Sequence, residues 1–115
     1  MPKYKFTRFT YPKDYFGGAA GKTVAAVDPC VPGLMIVPFL GHSDTHGDIR
    51  RRCAVMHVAT AYNFSEHSSI RAALETAKKA GALCDFTRFK TVAGWNRIVK
   101  RDKELCKKLK AIAGR

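Results

Sequence analysis

The most apolar stretch of the chain, Val24 to Leu40, is broken by Pro29, Pro32 and Pro38. Each proline removes a backbone donor and crowds the turn before it, so no helix runs through this stretch. A membrane-spanning helix needs ~20 apolar residues with an internally bonded backbone, and this run is too short and too interrupted. It reads as a buried irregular segment with a brief strand at Leu34–Val37. A loop buried against a membrane or a partner is the alternative.

Downstream of residue 40 the apolar residues recur at helical spacing. Ile49, Cys53, Met56 and Thr60 mark one face of a helix expected over 44–63, widened by Ala54, Val55, Val58, Ala59 and Tyr62. Ser43 or Asp44 would cap it, and Asp48 suits its positive start. A second helix is expected over about 69–80, capped by Ser68 and stopped by Gly81, with Ile70, Ala73, Leu74 and Ala77 as its stripe. Its alanines 73, 77 and 80 suit close helix–helix approach. A third is expected over about 91–112, with Val92, Trp95, Ile98, Val99, Leu105, Leu109 and Ile112 inward and Lys103, Lys107 and Lys110 outward.

The N-terminus carries Tyr4, Phe6, Phe9, Tyr11, Tyr15 and Phe16, alternating in part with Lys3, Lys5 and Thr10. That period of two marks an extended segment. It serves either as an aromatic anchor laid on a partner or as an edge strand of the protein's own fold. The expected fold class is therefore mainly α: about three helices, an extended, aromatic-rich basic N-terminal arm over 1–23, and a single small helical domain over 24–115 that includes the irregular apolar segment.

The formal charge of +12 is unevenly spread. Residues 1–27 hold five bases against one acid, 28–85 hold six of each, and 86–115 hold ten bases against two acids. Two cationic ends flank a neutral centre, a pattern that attracts phosphate, anionic lipid headgroups or an acidic protein face. The cysteines are Cys30, Cys53, Cys84 and Cys106, with no Cys-x-x-Cys pair and no secretory signal before them, so buried free thiols in an intracellular, non-secreted protein are expected.

Three motifs bear on chemistry. Gly17 to Thr23 resembles a phosphate-binding P-loop, but Phe16 stands where the first glycine belongs, and Pro29 follows too soon for the required helix. A Gly-Ala turn ending in Lys-Thr is the better reading. Leu40-Gly41-His42-Ser43-Asp44-Thr45 resembles the first metal-binding segment of the zinc aminoacylase and peptidase family. The resemblance implies metal-ligand roles for His42 and Asp44, with His46 and Asp48 continuing the alternation. It spans six residues, the family's general-base glutamate pair has no counterpart, and the chain is short for a two-metal fold. A polar helix-entry loop capped by Asp44 is preferred. Cys53-x3-His57 would lie one helical turn apart and could join a zinc site or a nucleophile pair, or simply pack.

No catalytic residue, metal or cofactor is therefore assigned. Tyr4, Phe6, Phe9, Tyr11, Tyr15 and Phe16, together with Arg50, Arg51, Arg52, Lys107, Lys108 and Lys110, are the expected partner-binding residues. The expected function is a non-catalytic accessory subunit of a large multiprotein assembly. The leaning is to a membrane-associated mitochondrial complex of the respiratory-chain or ATP-synthase kind, with protein neighbours and anionic lipid headgroups as partners. The alternative is a ribosomal or other RNA-binding subunit, its bases stacked on the arm's rings. A metal-dependent hydrolase fragment is the remote third reading.

Overall fold

Five successive residues, Cys53 to His57, are all buried. A helix at a protein surface cannot bury five in a row, whereas an interior strand with both faces covered does. The computed structural model describes residues 4–14, 20–38 and 49–113. Among them are five strands, β1 (Phe6–Thr10), β2 (Thr23–Val27), β3 (Leu34–Pro38), β4 (Cys53–His57) and β5 (Tyr62–His67), followed by helices α1 (Ile70–Leu83), α2 (Val92–Arg101) and α3 (Lys103–Ala113). The strands form one antiparallel sheet in chain order.

The fold is thus α+β, and the mainly α expectation is overturned. The error lies in the helix expected over 44–63. Its residues 49–63 are a turn, the strand β4 and the start of β5; residues 44–48 lie outside the described part. A short apolar run buried on both sides gives the same hydrophobic pattern as a buried helix, and periodicity alone does not separate them. The N-terminal arm is likewise an edge strand: β1 pairs with β2 along its whole length, from Phe6 opposite Val27 to Thr10 opposite Thr23. The brief strand expected at Leu34–Val37 is present as β3.

The sheet buries apolar side chains on both faces. One face presents Val27, Leu34, Ile36, Cys53 and Val55 to Ile70, Ala73, Ala77 and Ala80 of α1, with Phe86, Phe89 and Leu109 completing this core. The opposite face gathers Tyr11, Ala26, Val37, Ala54, Met56 and Ala61. The alanines of α1 let it lie close to the sheet. At Gly81 a Cβ would stand 2.5 Å from Val31 Cγ1, so any side chain there would have to displace Val31. Ser69, one residue beyond the expected cap, accepts from the Ala72 amide at 3.2 Å. Gly81 does not end the helix, which runs on to Leu83.

The long C-terminal helix is broken in two at Asp102. Its amide donates to the Ile98 carbonyl at 3.0 Å, closing α2, while its carboxylate accepts from the Leu105 amide at 2.9 Å, capping α3. Leu109 is buried, and Trp95, Ile98 and Leu105 pack against the same core, while Lys103, Lys107 and Lys110 are exposed, as the spacing predicts. No helix among the described residues is long and apolar enough to cross a membrane.

Candidate functional site

A bulge in the last hairpin sets up the site. Val55 pairs with Ser65, but Met56 pairs with Asn63, so Phe64 is skipped as the extra residue of the ladder. An unbroken ladder would put Asn63 opposite His57. The bulge puts Tyr62 there instead, and the Phe64 ring packs onto the helix-covered core. The strand end thus carries three rings, His57, Tyr62 and Phe64, to the α2 side of the sheet.

The segment after α1 supplies the facing wall. Asp85 Oδ1 accepts from the Thr87 amide at 2.9 Å and from its hydroxyl at 2.6 Å, and the Arg88 amide donates to the Asp85 carbonyl at 3.2 Å. The Thr87 hydroxyl and amide hold the Asp85 carboxyl below the usual range. This tight turn leaves Thr87 and Arg88 exposed while Phe86 and Phe89 are buried. Thr91 then caps α2, accepting from the Gly94 amide at 3.0 Å, which sets Trp95 on the first turn over the phenylalanines. Phe89 stacks on His57 at 4.4 Å between centroids and lies 5.0 Å from Trp95; Phe86 lies 6.1 Å from Phe64 and 6.3 Å from Trp95.

His57 ties the two walls together. Its Nε2 lies 2.8 Å from the Phe86 carbonyl oxygen and its Nδ1 2.8 Å from Thr60 Oγ1. A carbonyl only accepts, so Nε2 carries the proton and donates. In the neutral ring Nδ1 then accepts from the Thr60 hydroxyl, whose oxygen in turn accepts from the Tyr62 amide at 3.3 Å. Both nitrogens are engaged in holding structure.

Between the walls lies a cleft of about 200 Å³, lined by His57, Thr60, Tyr62, Phe64, Phe86, Phe89, Val92, Trp95 and Asn96. A second compartment of about 190 Å³ shares Tyr62, Phe64, Trp95 and Asn96 with it and continues past Val99, Cys106, Leu109 and Lys110. Tyr62 and Val92 form exposed lips, 53% and 56% accessible. Among the described residues no carboxylate lines either compartment. The surface offers ring faces with a few polar groups among them, the Thr60 and Tyr62 hydroxyls, the Asn96 amide, the Cys106 thiol and the Lys110 ammonium, which suits the binding of a planar, largely apolar group.

The chemical constellations considered from sequence do not assemble. Cys53 and His57 lie on a strand, four residues and roughly 13 Å apart, not on one helical turn. Burial pushes the Cys53 thiol up to about 11, and its Sγ donates to the Ser69 carbonyl at 3.4 Å. Cys84 and Cys106 are half-buried, but Cys30 is exposed, which corrects the expectation of uniformly buried thiols. Ser65 Oγ lies 2.8 Å from His67 Nε2, yet Ser65 is fully buried and out of reach of any substrate. Thr23 opens β2, so the Lys22-Thr23 turn feeds a strand and lacks the helix a phosphate cradle requires. His42, Asp44, His46 and Asp48 lie outside the described residues. Among the described residues no group of three His, Cys, Asp or Glu is placed to hold a metal.

The expected partner-binding residues are scattered. Tyr4 packs against the helix-covered core and Phe6 beside it is 59% exposed, while Phe9 is half-buried and Tyr11 buried on the opposite face. Tyr15 and Phe16 lie outside the described residues. Arg50, Arg51 and Arg52 are exposed ahead of β4, and Arg52 pairs with Glu66 at 3.1 Å. Lys107, Lys108 and Lys110 are exposed on α3, and of these three Lys110 alone lines the cleft. Of the cleft's rings, Tyr62, Phe64, Phe86 and Phe89 were not singled out from sequence as a site, and His57 was considered only beside Cys53, as a zinc ligand or half of a nucleophile pair. The available signal was Phe86 and Phe89 interleaved with Arg88 and Lys90, then Trp95 with Arg97. No family model, no curated protein and no solved structure matches the chain.

Proposed function

We propose that this protein is a non-catalytic RNA-binding subunit that holds a single-stranded segment on its α2–α3 side. One observation carries the reading: the aromatic cleft is walled in part by α2 and α3, the elements that carry the most cationic part of the sequence, and Lys110 lines it. From Arg88 to Lys110 nine bases are exposed, namely Arg88, Lys90, Arg97, Lys100, Arg101, Lys103, Lys107, Lys108 and Lys110, against Asp102 and Glu104. Single-stranded RNA presents both features such a surface fits, a phosphate backbone for the cations and unstacked bases for the rings.

The test is fluorescence anisotropy with labelled single-stranded RNA across a salt series. Each phosphate contact contributes about −0.7 to the slope of log affinity against log salt. Five contacts would lower affinity on the order of 100-fold between 50 and 200 mM salt. Vesicles of anionic phospholipid serve as a second arm. Tight vesicle binding without RNA binding would sink the RNA reading.

A second reading keeps the protein as an accessory subunit of a membrane-associated mitochondrial assembly. It rests on β1, an edge strand with Phe6 exposed, where a neighbouring subunit could add a strand. Copurification of a stoichiometric protein neighbour through high salt, lost on Phe6→Lys, would favour it.

A further inference from the structure

We infer that the first compartment of the cleft, the one lined by His57, Phe86 and Phe89, seats one unstacked RNA base, with Tyr62 and Trp95 supplying ring faces and Asn96 the edge contact. This rests on the RNA reading above and goes beyond the electrostatic attraction that suffices for it. A cationic surface alone would hold any polyanion; the cleft is a separate feature with its own selectivity.

Size points to a single ring system. The compartment is about 200 Å³, below the ~300–1,000 Å³ of sites for drug-sized molecules. Six of its nine lining residues are rings and its polar groups are few, which suits a flat apolar body with a polar rim. The walls are also fixed before any ligand arrives. His57 is held at both nitrogens and stacked on Phe89, and Phe86 is pinned by its carbonyl. A preformed slot loses little entropy on binding.

The lip carries the selectivity. Asn96 is exposed on α2, next in sequence to Trp95, and its amide offers a donor and an acceptor side by side, the pattern that pairs with a base edge. Lys100 lies one turn further along the same helical row, and Lys110 lines the second compartment. A strand whose base enters the first compartment would therefore run its backbone past ammonium groups on the α3 side of Asn96.

Trp95 is the single tryptophan of the chain, so base stacking is read directly from its fluorescence. The experiment titrates the intact protein with a short mixed-sequence RNA and with an abasic oligomer of equal length and charge. The expected result is quenching of Trp95 by the RNA alone, with affinity on the order of tenfold above the abasic oligomer. Tyr62→Ala should remove most of that advantage, leave abasic affinity unchanged and be rescued by Tyr62→Phe. Asn96→Ala should flatten the preference among the four homopolymers. The abasic affinity is the folding control for each variant, alongside circular dichroism. Equal binding of both oligomers without quenching would overturn the base seat and leave the RNA reading standing. Failure of both oligomers to bind would overturn both. An equal loss for both oligomers in Tyr62→Ala would also overturn the seat, because it would mark Tyr62 as structural.

Discussion

The His57 imidazole donates from Nε2 to the main-chain carbonyl of Phe86, 29 residues later, across 2.8 Å of buried space. This bond joins the end of β4 to the segment that links α1 to α2. It is the means by which a sheet residue positions the far wall of the cleft. The same ring stacks on Phe89, so one side chain orients both phenylalanines.

Removing that ring should therefore do more than make a cavity. His57→Ala leaves the Phe86 carbonyl buried without its donor, which costs about 1–3 kcal/mol, before any loss of packing against Phe89. The expected outcome is a stability loss of about 2–4 kcal/mol in urea unfolding, with Trp95 emission shifted to the red because α2 loses its seat. His57→Gln, which keeps one donor, should recover part of both.

Gly33 guards the same point from the other side. Its φ is +87°, and a Cβ built on it would stand 2.8 Å from both the carbonyl carbon and oxygen of Phe86. Gly33→Ala combines left-handed strain of about 1 kcal/mol with overpacking of about 1–3 kcal/mol against backbone that cannot swing away. Thermal melting should show a clear drop in midpoint. Gly21→Ala is the comparison: its φ is +72°, yet the nearest atom is the flexible Lys13 side chain at 3.8 Å, so only the strain applies.

These two residues also show where sequence reasoning reaches and where it stops. The α1 stripe of Ile70, Ala73 and Ala77 is legible because helical spacing is a local property. So is the alternation of β1, and so is the strand at Leu34–Val37 between its prolines. The β4–β5 hairpin is not legible, because β4 is buried on both faces and the connection Val58-Ala59-Thr60-Ala61 lacks glycine, proline and asparagine. Ala61 takes φ +55° there, a conformation its residue type does not announce. The cleft was hidden for a different reason. Its walls come from residues 57–64, 86–89 and 92–96, and what joins them is a bulge and a histidine hydrogen bond, neither of which leaves a spacing in the sequence. The cationic helices were visible; that rings gather beside them was not.

The cysteines should separate by reactivity. Cys30 is exposed and should modify first with an aromatic disulfide reagent, whereas Cys53 should react only as the protein unfolds. Burial raises Cys53 from 9.0 to about 11, so the folded state holds that proton more tightly than the unfolded chain. Its contribution is complete below pH 9 and is lost as pH rises through 11. Urea midpoints between pH 8 and 11 should fall more steeply in the native protein than in Cys53→Ala. Parallel curves would assign the alkaline loss to other groups.

At the acid end the relevant group is His67, whose Nε2 meets the buried Ser65 hydroxyl and which pairs across the ladder with Cys53. Burial lowers its pKa below the ordinary 6.5, so the folded state favours the neutral ring while the unfolded chain takes up a proton first. The sign follows: the contribution is full above 6.5 and declines as pH falls through and below that value. The ion pair of Arg52 with Glu66, next along β5, is exposed and contributes little to stability. Stability measured at pH 7.5 and 5.5 should therefore differ in the native protein and converge in His67→Gln, whose amide keeps a partner for Ser65 without a titrating group. A pH difference that survives the substitution would assign the acid sensitivity to another residue and leave the Ser65–His67 pair with a packing role alone.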